Sequence, residues 1–326
     1  MICKYIRLRH LFIWLLIATV VACKPAFEPS DFEKVLWAVS WSPDGEGLAA
    51  GGNTGSLALY EGRELGKRKL MPMARTITGI AYSPDGSRLA VATQLSGEGS
   101  RIIDLQTGGE TLLDSLAAPG ARGLAWSPDG SRLAVGDNEG MLHLYDRAGG
   151  HLQQVQADPK AITALSWHPQ KPLIAITGSR LTIYHTDTEE MIAIQPRDEE
   201  VLMLCADWHP TRDMLVTGDY GNRDNDLPPI LQYWSEKGEK IRETEAGARE
   251  FRSVKWSPDG SMLASTSDRL RLWSVTGELV SEKVLGAPLW GLDWHPEGNR
   301  LAVTTGTGEV IITDTKPAVL YRAELE

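Results

Sequence analysis

The 326-residue chain predicts an all-β fold, a propeller of seven blades with four antiparallel strands in each. Two observations carry that prediction. An aromatic residue followed by Ser-Pro-Asp-Gly or His-Pro recurs at Trp41, Tyr82, Trp126, Trp167, Trp208, Trp256 and Trp294, at intervals of 41, 44, 41, 41, 48 and 38 residues. Around each anchor lie short apolar runs separated by turn residues, and hardly any stretch reads as helix. A repeat of roughly 40 to 45 residues with four strands closes into a ring of sheets, because one blade cannot bury its own faces.

The third copy shows the unit most clearly. Gly123–Trp126 is a strand, Ser127-Pro128-Asp129-Gly130 a turn, Ser131–Gly136 a second strand, Asp137–Gly140 a second turn and Met141–Asp146 a third strand. Pro128 pre-sets φ at the first corner of a type I turn and Asp129 tolerates the second. Gly130 takes the positive φ that closes a hairpin with a bulge. A fourth strand is due before the next anchor. The blades then run approximately 35–74, 75–118, 119–159, 160–200, 201–248, 249–286 and 287–326. Residues 94–100 in blade two and 219–229 in blade five are insertions between second and third strands. Such loops share the narrower top face with the segments entering the first strands; they are either binding walls or drifted loops without a role.

From Trp37 to about the C-terminus the repeat resembles the WD40 family. The TolB-type propeller repeat shares the Ser-Pro-Asp-Gly turn, but the run from Asp137 to Asp146 is similar to WD40. No blade ends in a Trp-Asp pair: the third strands end in Tyr60-Glu61, Ile103-Asp104, Tyr145-Asp146, Ile183-Tyr184, Tyr233-Trp234, Leu272-Trp273 and Thr313-Asp314. The Gly-His that precedes the first strand in the family is also missing, so its Trp-Ser-His-Asp network is not expected intact. The resemblance implies a rigid platform for protein or peptide partners and a monomer, not an enzyme.

Residues 1–22 read as a signal peptide. Lys4, Arg7 and Arg9 precede the apolar run Leu11–Val21, which as a helix reaches about 16 Å, half a bilayer core. The run ends Val20-Val21-Ala22-Cys23, which looks like the lipobox of bacterial lipoproteins. That resemblance implies cleavage before Cys23 and acylation of its thiol and amine, with a membrane affinity of about 0.8 kcal/mol per buried methylene. The alternative is an ordinary signal peptide with Cys23 free. Residues 23–34 form the lipidated N-terminus and a two-proline linker, and 35–326 the propeller. Lys24 after the cysteine, where an Asp resembles an inner-membrane retention signal, points to the periplasmic face of the outer membrane. The linker is a poor strand, whereas Ala318–Ala323 falls where the outer strand of blade seven is due, so the C-terminus is expected to finish its own blade.

A net charge of −10, more negative once the leader's cations are gone, argues against general nucleic-acid binding. With Cys3 in the leader and Cys23 lipidated, Cys205 stands alone in a first strand, as an inert core thiol does. No Gly-x-Ser-x-Gly, His-Glu-x-x-His or phosphate-cradling glycine loop occurs. His168, His209 and His295 occupy one repeat position in separate blades, too far apart to share a metal. Asp219, Asp224, Asn225 and Asp226 crowd one loop without the distal glutamate of a calcium loop. No metal site or cofactor is expected.

The expected site is a surface. Four residues before each anchor, at the top of the first strands, stand Trp37, Thr78, Arg122, Thr163, Leu204, Arg252 and Trp290; three residues earlier stand Lys34, Arg75, Pro119, Lys160, Val201, Arg249 and Ala287. Ring closure makes blades one and seven neighbours, which brings Trp37 towards Trp290 with Arg252 and Arg249 next along. Aromatic and arginine side chains carry binding hot spots, and a partly basic top on an acidic protein suits an acidic peptide or polymer. The predicted partner surface is Trp37, Trp290, Arg252, Arg249, Arg122 and Arg75, with Tyr220 and Arg223 on the blade-five loop. Half-buried packing tryptophans and a solvated charged rim are the plainer reading. A propeller enzyme or small-ligand binder at the channel mouth, and a structural envelope-assembly factor, are the alternatives.

Overall fold

The computed structural model describes residues 34–325 except 63, 74–75, 95–98, 114–119, 198–200 and 246–248, and the side chain of Arg223. The expectations for the leader, for Cys23 and for the linker up to residue 33 lie outside the described residues. So do Arg75 and the centre of the blade-two insertion.

Seven four-stranded antiparallel sheets follow one another along the chain, each with its strands in sequence order from the axis outward. The innermost strands are Leu36–Trp41, Ile77–Tyr82, Ala121–Trp126, Ala164–Trp167, Met203–Trp208, Ser253–Trp256 and Leu289–Trp294. The seventh sheet draws all four strands from the C-terminal stretch, ending with Val319–Glu324. Among the described residues the only helical element is a 3₁₀ turn, Arg223–Asn225, in the blade-five insertion, and no helix is long and apolar enough to cross a membrane.

Burial follows radius. Second strands such as Arg88–Thr93 and Arg300–Thr305 are buried almost throughout, which is why they are built from alanine, threonine and branched aliphatics that fit between converging sheets. Outer strands such as His151–Gln156 alternate exposed and half-buried residues. The core is divided into seven clusters, each lying between two neighbouring blades. The cluster between blades seven and one joins Leu36, Val39 and Trp41 to Val310, Ile312 and Leu325. No strand crosses that seam.

The Ser-Pro-Asp-Gly turn folds as its chemistry requires. Gly130 has φ 68°, and its N–H donates to the Ser127 carbonyl at 2.8 Å. Asp129 accepts from the Ser127 hydroxyl (2.6 Å) and the Ser131 N–H (3.0 Å); the hydroxyl bond is the main reason its carboxyl falls to about 2.

Adjacent blades meet through two kinds of joint at the lower ends of the first strands. After the second, third and sixth blades, which carry Ser-Pro-Asp-Gly, the next anchor's indole donates back to a carbonyl: Trp126 to Ala81 (3.2 Å), Trp167 to Ala125 (3.0 Å) and Trp294 to Lys255 (2.9 Å). After a His-Pro blade, the histidine ring packs on the next anchor: His168 on Trp208 at 4.7 Å, His209 on Trp256 at 4.7 Å and His295 on Trp41 at 4.9 Å. In those three joints the anchor's indole nitrogen has no hydrogen-bond partner. Its backbone N–H is instead held by the preceding blade, by Ser166 (3.2 Å), Asp207 (2.9 Å) and Asp293 (2.7 Å).

Parts of the hydrogen-bond network that the WD40 resemblance implies are present. Trp234 and Trp273 donate to Thr217 and Ser265 at 2.9 Å, and His143 Nε2 lies 3.0 Å from Asp137.

Candidate functional site

The first strands line an axial bore. Their regular spacing stacks equivalent residues in rings, and the ring at the top is the set read from the sequence: Trp37, Thr78, Arg122, Thr163, Leu204, Arg252 and Trp290 all line one cavity of about 300 Å³, together with Leu202, Tyr220 and Glu250. Backbone irregularity puts them there. In five blades the first strand's register slips by one or more residues, and the residue left without a partner is Trp37, Thr78, Arg122, Leu204 or the Trp290-Gly291 pair. A bulge re-aims its side chain away from the sheet face. In blades four and six the ladder starts two residues later, just beyond Thr163 and Arg252.

Trp37 and Trp290 meet across the seam with ring centroids 4.6 Å apart and planes at 53°. The Arg252 guanidinium lies over the Trp290 ring, 3.2 Å from its centroid, a cation–π contact strengthened by partial burial. It is also ion-paired with Glu250, so the mouth holds a carboxylate that the repeat alignment did not reveal. Thr78 and Thr163 spend their hydroxyls on the Ala121 and Met203 carbonyls of the following blades (2.6 Å each). The indole N–H groups of Trp37 and Trp290 and the Nε of Arg122 are buried and unpartnered. Tyr220 is 45% exposed and walls the blade-five side. Arg249 is exposed and does not line the cavity. Arg223 belongs to the 3₁₀ turn of the same loop, and Arg75 is not among the described residues.

Below the mouth the bore narrows to an apolar waist of Val39, Ile80, Leu124, Leu165, Ala206, Val254 and Leu292. A lower ring follows, from the residues immediately before each anchor: Ser40, Ala81, Ala125, Ser166, Asp207, Lys255 and Asp293. Lys255 Nζ is 3.3 Å from Asp207, whose charge holds the ammonium above its ordinary range. Burial pushes the Asp293 carboxyl up to about 6, with Lys255 opposing. This cluster was missed in the sequence, although a signal existed: charged residues in successive blades at a position otherwise held by alanine or serine.

Among the described residues of the bore, Lys255 and Cys205 are the candidate nucleophiles. Lys255 is kept protonated, and burial pushes the Cys205 thiol up. Asp219, in the acidic blade-five loop, is buried and accepts from the Gly221 and Ile230 N–H groups at 3.0 Å. Among the described residues one trio of potential metal ligands clusters, His168, Asp213 and Glu236 on the lower face. Lys171 pairs with both carboxylates, at 2.8 Å from Asp213, and already supplies the cation there.

Two family models match parts of the chain: the WD40 domain of anaphase-promoting complex subunit 4 over residues 112–170 and the WD domain, G-beta repeat, over residues 240–274. No curated protein matches. Among solved structures, that of U3-55K is similar with a TM-score of 0.72 and 14% identity, covering 84% of this chain and 89% of that one. At that identity the likeness speaks for the fold alone.

Proposed function

We propose that this chain, a WD40-repeat β-propeller, is a binding platform that grips a protein or peptide partner at its top mouth. WD40 propellers are typically non-enzymatic interaction scaffolds, and they generally bind proteins or peptides. Fold alone does not assign a partner; the observation that carries the reading is the Trp37–Trp290 pair. Two tryptophans tilted against each other at a cavity rim offer rigid apolar area to a partner. Cys23 carries the lipid that tethers a monomeric propeller to the cell envelope, at the periplasmic face of the outer membrane. Support for that part is the lipobox resemblance.

One experiment addresses both parts: crosslinking and capture from membranes with the wild type, Trp37→Ala/Trp290→Ala and Cys23→Ser. The double variant is expected to lose the partners that the wild type retains, and Cys23→Ser to leave the membrane fraction. Retention of the same partners by the double variant sinks the mouth, and persistence of Cys23→Ser in the membrane sinks the tether. A small-ligand reading draws on the Asp207–Lys255–Asp293 ring, and would show as an unchanged captured set with a ligand held in the bore.

A further inference from the structure

The geometry points to Arg122 as the receptor for the C-terminal carboxylate of a peptide that enters the mouth with an apolar last residue; this rests on the mouth being the partner site. Of the two guanidinium groups in the upper ring, Arg252 is already satisfied, stacked on Trp290 and ion-paired with Glu250. Arg122, two blades from Leu204 and across the bore from the tryptophan seam, forms no hydrogen bond or ion pair with any described residue, and its Nε is buried. Arg122 lines the cavity, and its terminal guanidinium N–H groups, unlike the enclosed Nε, can meet an acceptor that arrives there. The Trp37 and Trp290 indole nitrogens, buried beside the same cavity, are also without an acceptor. Among the described residues of the mouth, Arg122 is the cation without a carboxylate partner.

Shape selects a chain end. At about 300 Å³ the cavity is at the small limit of ligand pockets, and below it the bore is lined by the apolar waist. A chain that enters and leaves needs room for two limbs, whereas a terminus needs one. Leu202, Leu204 and Tyr220 line the blade-five side and suit an aliphatic or aromatic last side chain. Capture of a terminal carboxylate by convergent donors is an established mode of peptide recognition, and an arginine meets a carboxylate with two parallel N–H donors.

The test is calorimetric, with N-acetyl-Gly-Leu-Phe as the free acid, the same peptide as its C-terminal amide, and N-acetyl-Gly-Leu-Glu amide, which moves the carboxylate to a side chain. The free acid is expected to bind the wild type about tenfold to a hundredfold more tightly than either amide. Arg122→Gln is expected to bring the three within about twofold of one another, while Arg322→Gln, a charge control on the outer strand Val319–Glu324, keeps the preference. Equal binding of acid and amide overturns the inference and leaves the aromatic mouth standing if Trp37→Ala/Trp290→Ala abolishes that binding. Equal binding of the acid and the glutamate amide overturns the chain end. Absence of binding by all three overturns the inference as well, and the capture experiment then judges the mouth separately.

Discussion

At His209 the imidazole Nδ1 accepts the backbone N–H groups of Thr211 and Arg212, at 3.2 and 3.1 Å. That leaves the ring proton on Nε2, which lies 3.0 Å from the Gly260 carbonyl in the next blade. His295 repeats the arrangement against Gly45 at 3.2 Å, across the seam. Each glycine is required on two counts. Both have φ above 70°, and a Cβ there would sit 2.4 Å from the histidine ring. A turn residue that reads as a substitute for serine therefore caps its own turn and bolts the neighbouring blade. His209→Ala removes the cap, the inter-blade bond and the packing on Trp256, and is expected to cost about 2–4 kcal/mol. Ser257→Ala, which removes only a turn hydroxyl bonded to Asp259 and Met262, is expected to cost about 1 kcal/mol. Urea unfolding of the two variants checks the difference; equal costs would mean that the histidine does no more than cap.

The inner strand is the element that decides both stability and site. Its lower end makes the joint to the next blade, and the kind of joint follows from whether the preceding turn is His-Pro or Ser-Pro-Asp-Gly. Trp126 uses its indole N–H on Ala81, whereas Trp256 leaves its own unpartnered. Trp126→Phe is therefore expected to destabilise by about 1 kcal/mol more than Trp256→Phe, by the bond lost in one and the desolvated donor relieved in the other. Denaturant midpoints at constant slope check this, and a larger loss at Trp256 would contradict the joint scheme. At its upper end the same strand bulges and turns one residue into the mouth. The repeat spacing already aligned Trp37 with Trp290 and Arg252, because ring closure makes the first and last blades neighbours. The bulges were not legible, since no residue type marks them. Glu250 was not legible either: it lies two residues before Arg252 and off the repeat position.

At the scale of the whole ring, one seam differs from the other six because no loop crosses it. Packing, the Thr304 bond to the Leu36 carbonyl (2.8 Å), the Arg68 bond to the Glu324 carbonyl (2.7 Å) and the Asp293 bond to the Trp41 N–H hold it. Asp293 faces Lys255 and, beyond it, Asp207 along the lower ring. Its carboxyl titrates at about 6 in the folded chain, against an ordinary 3.8. The folded state therefore binds the extra proton between those values, and stability falls as pH rises from about 4 through 6. Relative to Asp293→Asn, the wild type is expected to lose about 2–3 kcal/mol across that window. Urea unfolding of both proteins at pH 4.5 and 7.5 measures it; a difference independent of pH would show that Lys255 fully compensates the buried charge.

The sequence by itself determined the number of blades, the order of their strands and the turns between them, because those depend on residues a few positions apart: a period in the forties, alternating burial, and proline and glycine at fixed corners. It also determined which seven residues top the bore, since equivalent positions in a ring must share a level. Only the tertiary structure decided which of those residues are free to act. Arg252 is paired with Glu250, Arg122 has no such partner among the described residues, and Asp207, Lys255 and Asp293 meet, because each of these facts depends on contacts across the bore or between elements whose proximity no local spacing encodes.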